Sequence, residues 1–71
     1  MNKNIVVKFG KVVKETRTKK GFTQEKLAFK AGVSSNYIGR IERGTVSPSI
    51  TVVSQISDAL EIKLSKLFDS L

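Results

Sequence analysis

The polar run Ser34-Ser35-Asn36, followed four residues later by Arg40, holds the side chains of this chain best suited to chemistry. An asparagine amide can pair bidentately with the N6/N7 edge of adenine, and an arginine guanidinium with O6/N7 of guanine. Serine hydroxyls discriminate poorly between bases, and both serine and arginine also serve as phosphate ligands that carry no sequence information. Tyr37 lies in the same stretch. Its ring suits either packing, with the hydroxyl on a phosphate, or contact with a thymine methyl.

Catalysis is not expected. The chain has 71 residues and no cysteine or histidine, which removes disulfides, thiolate nucleophiles, zinc sites and the usual general base together. Glu15, Glu25, Glu42, Asp58, Glu61 and Asp69 are scattered, with no pair at catalytic spacing, so neither an enzyme nor a metal or cofactor site is implied. Charge is unevenly distributed. Residues 1–43 hold eleven Lys/Arg against three acids, a balance of +8, whereas residues 44–71 balance at −1. A basic front half suits a polyanion, and a near-neutral, apolar back half suits self-association. No apolar run approaches the roughly 18 residues of a membrane span. The start Met1-Asn2-Lys3-Asn4-Ile5-Val6-Val7-Lys8 lacks the apolar length and cleavage site of a signal peptide, so the expected location is the cytoplasm.

Five short helices must position these residues, which makes the fold class all-α in a single domain over 1–71. The first covers residues 4–19, with Val6, Phe9, Val13 and Thr16 on one face, and stops at Lys19-Lys20-Gly21. Thr23 can cap a second helix carrying Leu27, Ala28 and Ala31 inward, ended by Gly32. Ser34 caps a third, with Tyr37, Ile38 and Ile41 as its apolar ridge, closed by Arg43-Gly44. Ser49 caps a fourth, in which Ile50, Val53, Ile56 and Leu60 recur at helical spacing. The last covers residues 63–70.

The segment 24–43 has the pattern of two helices crossing through a tight turn. Ala28 is small where the backbones approach, and Gly32, four residues on, can take a left-handed conformation. Val33, Ile38 and Ile41 then bury against the preceding helix and turn Ser34, Ser35, Asn36 and Arg40 outward. Ser34 serves more naturally as the helix cap than as a base reader.

From Phe9 to Phe68 the chain resembles the Cro/C1-type helix-turn-helix family of phage repressors and Cro proteins, a lambda-repressor-like fold. Gly21-Phe22-Thr23-Gln24-Glu25-Lys26-Leu27-Ala28 is similar to the family's G-hydrophobic-[ST]-Q-x-x-L-A signature. Tyr37-Ile38-Gly39-Arg40-Ile41-Glu42-Arg43-Gly44 resembles its x-I-x-x-[IWL]-E-x-G, and Pro48-Ser49 the start of its fourth helix. Within the family, the compactness and the Ile-Glu-Arg-Gly phrase are similar to restriction-modification controller proteins.

The resemblance implies double-stranded DNA as partner, with Ser34, Ser35, Asn36 and Arg40 reading bases. Gln24, Tyr37, Arg43, Thr45, Ser47 and Ser49 would hold phosphates, Ser49 being first a cap. It also implies that an arginine of the first helix, read here as Arg17, meets Glu42; the alternative for Arg17 is a phosphate. Leu64, Leu67, Phe68 and Leu71 outnumber what a four-helix core can cover, so they are expected at a two-fold homodimer interface within the C-terminal helices, residues 49–70. The alternative is closure of the monomer core. The expected function is transcriptional regulation on a pseudo-palindromic operator, by occluding RNA polymerase or by touching it. A rival is an antitoxin that neutralises a toxin through helices four and five and autoregulates its operon. Three residues depart from the family pattern. Thr16 replaces a bulky aliphatic, Lys63 stands where a Ser, Thr or Asp caps the fifth helix, and Gly39 lies inside the third helix. Gly39 is expected either to approach DNA closely or to be tolerated at a solvent-facing site.

Overall fold

The computed structural model describes residues 3–69 and Leu71. Five helices follow in order: α1 (Lys3–Lys19), α2 (Gln24–Ala31), α3 (Ser35–Glu42), α4 (Ile50–Leu60) and α5 (Leu64–Phe68). No strand occurs among the described residues. Ser70, the expected end of the fifth helix, lies outside them.

The helix starts follow from local chemistry. The hydroxyls of Thr23, Ser34 and Ser49 accept hydrogen bonds from the backbone N–H of Lys26 (3.0 Å), Tyr37 (3.1 Å) and Val52 (3.2 Å). Each such cap stabilises its helix by about 1 kcal/mol. Lys63 caps α5 with no side-chain hydrogen bond, in keeping with its departure from the family pattern.

The ends of α1 to α4 share one device. After α2, Gly32 takes φ +74°, and the N–H groups of Val33 and Gly32 return to the carbonyls of Ala28 and Phe29. The same pair of bonds closes α4, but there Glu61 occupies the left-handed position at φ 58°. A β-carbon resists that conformation. The buried Ser57 compensates: its hydroxyl donates to the Ile62 carbonyl at 2.6 Å, while the Ile62 N–H donates to the Ser57 carbonyl at 3.2 Å. No glycine marks this turn in the sequence.

Packing joins α2 to α3 and α4, α1 to α3 and α5, and α4 to α5. The core between them contains Phe9, Val13, Leu27, Ala28, Ala31, Ile38, Ile41, Val53, Ile56, Ala59, Leu60 and Leu67. Thr16 is half-buried, and its hydroxyl donates to the Val12 carbonyl at 2.8 Å, so its polar atom is satisfied within α1.

Two apolar expectations are corrected. Ile50, the first residue of α4, is 70% exposed, whereas Val53, Ile56 and Leu60 of the same helix are buried in the core. Leu67 is fully buried within the protomer and has no surface to offer a second chain. Phe68, half-buried, stacks on Phe9 at 5.9 Å between ring centroids, and Leu71 is partly buried against the same core. Of the four residues expected at a dimer interface, only Leu64 is exposed.

Candidate nucleic-acid interface

The first turns of α3 form a two-sided element. Ile38 and Ile41 have no exposure, while Ser34, Ser35, Asn36 and Arg40 all face solvent. Tyr37 lies between the two sides, half-buried and packed against the core. Val33, expected inside, is only partly buried. Ser34 uses an oxygen lone pair to cap α3. That leaves its O–H hydrogen for an outside acceptor. Ser49 caps α4 in the same way. Its hydroxyl can therefore still donate to a phosphate.

The expected phosphate ligands divide. Arg43, Ser47 and Ser49 are exposed. Thr45 is exposed as well, but its hydroxyl donates to the Arg40 carbonyl at 3.1 Å, and its N–H donates there at 3.0 Å. With its single hydroxyl proton used, Thr45 fastens the end of α3 and has none to give a phosphate in this conformation. Gln24, at the first turn of α2, is half-buried. Its Nε2 donates to Glu42 Oε1 at 3.0 Å.

Glu42 is the hub beneath this surface, its side chain only 2% exposed. Arg17 reaches it from α1 with two parallel bonds, Nε to Oε2 at 2.7 Å and Nη2 to Oε1 at 3.1 Å. Nη1 of Arg17 donates to the Phe22 carbonyl at 2.8 Å. The arginine therefore ties α1 to α3 and to the loop before α2, and every buried side-chain nitrogen and oxygen among the described residues has a partner. A guanidinium matches a carboxylate in this fork geometry better than an ammonium can. With both nitrogens on Glu42 and the third on a carbonyl, Arg17 is a structural residue here.

Two glycines carry packing roles that sequence reasoning missed. Gly10 sits on the buried face of α1. A β-carbon there would collide with the backbone carbonyl oxygen of Ile41 and lie 2.9 Å from that of Glu42. The only sequence signal is a glycine on a face otherwise built from Val6, Phe9 and Val13. Gly39 is buried. This corrects the solvent-facing alternative; its surroundings are the side chains of Gln24 and Arg43. A glycine inside a helix costs about 1 kcal/mol relative to alanine, so the gap needs a reason.

A helix-turn-helix family model matches residues 13–67. The chain belongs to the Cro/C1-type helix-turn-helix family, a class of DNA-binding transcriptional regulators. Within that class it is similar to the control protein C.BamHI of Bacillus amyloliquefaciens, 40% identical over 70 residues that span 97% of this chain and 86% of the relative. The transcriptional regulator SlrR of Bacillus subtilis is 37% identical over 62 residues, covering 86% of this chain but 41% of its own length. Among solved structures, the restriction-modification controller protein C.AhdI from Aeromonas hydrophila superposes with a TM-score of 0.90 at 39% identity, covering 93% of this chain and 96% of its own. No helix among the described residues is long and apolar enough to cross a membrane.

Proposed function

We propose that this chain acts as a homodimer on a pseudo-palindromic operator, laying the start of α3 into the major groove, in the role of a restriction-modification controller. The carrying observation is the two-sidedness of α3: Ile38 and Ile41 wholly buried beneath Ser35, Asn36 and Arg40, which all face solvent. Base edges are reached from the first turns of such a helix, while neighbouring groups hold the backbone. In this reading Asn36 and Arg40 read bases, with Ser34 and Ser35 beside them. Gln24, Tyr37, Arg43, Ser47 and Ser49 contact phosphate. The controller role is supported by the similarity to C.BamHI and C.AhdI over nearly the full length of both.

Selection of bound duplexes from a random pool tests the reading directly, because it returns the site, its symmetry and the half-site spacing together. Arg40→Ala should then lose about 1–3 kcal/mol of discrimination at one base pair. Arg43→Ala should weaken binding to every duplex alike and lower the slope of log affinity against log salt by about 1. If both variants change affinity and neither changes base preference, the assignment of Arg40 to base reading is wrong.

Two recognition helices about 34 Å apart would engage successive turns of one groove face. Leu64, exposed, and the half-buried Phe68 and Leu71 are the apolar surface offered for the two-fold contact. Sedimentation should give a dimer at micromolar protein, and Leu64→Glu should shift it toward monomer. A wild-type monomer with and without DNA would defeat the dimer assignment.

A further inference from the structure

Gly39 marks the point where the side chains of two helices converge. A β-carbon built there would lie 3.2 Å from Arg43 Nη1, 3.6 Å from Gln24 Oε1 and 3.8 Å from Gln24 Nε2. Arg43 comes from the end of α3 itself, and Gln24 from the first turn of α2. We propose that Gly39 is a positioning residue for DNA binding: its missing side chain is the seat in which the Gln24 amide and the Arg43 guanidinium assemble into one phosphate-binding pair. This role rests on the assignment of Gln24 and Arg43 to phosphate contacts and deepens it.

The rest of the network explains why the seat matters. Nε2 of Gln24 is held by Glu42 at 3.0 Å, and Glu42 is held in turn by two bonds from Arg17. With Nε2 turned to Glu42, the amide plane is fixed, and both its heteroatoms border the space above Gly39 that Arg43 Nη1 also borders. A guanidinium that already lies beside this amide needs less rearrangement to meet a phosphate there. The space is lined by protein side chains, so its occupants are Gln24 and Arg43 rather than a close-lying stretch of DNA.

Folding and binding should respond to a methyl group at this position with opposite signs. Arg43 is exposed, and Nη1 is the far end of a flexible side chain. It can move aside at little cost to the fold, while α3 gains an alanine in its interior. The methyl meets the Gln24 amide at ordinary contact distance but pushes the guanidinium away from it, and the pair is weakened.

The test uses the full chain with two duplexes, the preferred sequence from random-pool selection and a scrambled one of equal length. Gly39→Ala should raise the melting temperature, weaken binding to both duplexes about five- to tenfold, and leave base preference intact. In the Arg43→Ala background the same substitution should cost less than about twofold more, because the group it displaces is gone. Unchanged affinity, the full loss repeated without Arg43, or an altered preference at one base pair would each overturn the role. Should Gly39→Ala not fold, Gln24→Ala and Arg43→Ala carry the test. Their combined loss should fall short of the product of the single losses by about fivefold, and independent effects would overturn it. A wild-type protein that ignores both duplexes at low salt would remove the DNA-binding reading itself, whereas a wild type that binds beside an indifferent Gly39→Ala removes only this role.

Discussion

Glu42→Ala should destabilise the protein by about 3–5 kcal/mol, measured by thermal or urea unfolding followed by circular dichroism. The loss comes from what stays behind. Arg17 is 8% exposed and would keep its charge, with only the Phe22 carbonyl left of its three hydrogen bonds. Gln24 would lose its acceptor at the same time. A domain of this size has a total stability of about 5 kcal/mol. The variant should therefore be largely unfolded near physiological temperature. Arg17→Ala should behave similarly, stranding a buried carboxylate. The double variant should lose clearly less than the two single losses combined, because no charge is then left unpaired. Exchanging the two residues should restore part of the loss. Strictly additive single and double losses would show that the pair contributes nothing as a pair.

Gly10→Ala should cost about 3 kcal/mol, despite being a glycine-to-alanine change in the middle of a helix. Helix propensity favours alanine by about 1 kcal/mol. Against that stand the carbonyl oxygens of Ile41 and Glu42, the second only 2.9 Å from the new β-carbon. Both are backbone atoms at the end of α3, so no side chain can swing away, and α1 must lift from α3 as a whole. Lifting it also stretches the Arg17–Glu42 bridge, which spans the same pair of helices. Steric exclusion therefore outweighs propensity, and the melting temperature should fall steeply. Gly39→Ala provides the internal contrast, because the group it meets is the end of a flexible arginine and the melting temperature should rise. A Gly10→Ala variant as stable as the wild type would show that α1 and α3 are not in backbone contact.

The reach of the sequence follows the range of the forces involved. Helix starts at Thr23, Ser34 and Ser49, and stops at Gly21, Gly32 and Gly44, depend on atoms within one turn of the residue itself. Each was legible for that reason. The polar edge of α3 was legible too, because Ile38 and Ile41 fix the direction of their neighbours through the helical repeat. The Arg17–Glu42 contact entered through family resemblance, since 25 residues separate the two in sequence.

What the tertiary structure alone decided concerns what stands opposite. Ile50 has the same spacing as Val53 and Ile56, yet it is exposed while they are buried. Leu67 has the same composition as Leu64, yet the core takes it entirely. Thr45 turns its hydroxyl to the Arg40 carbonyl, and Glu61 accepts a left-handed backbone because Ser57 ties the turn from below. Gly10 and Gly39 are alike in sequence: one admits a neighbouring backbone and the other two side chains, a difference set by packing partners that no local pattern encodes.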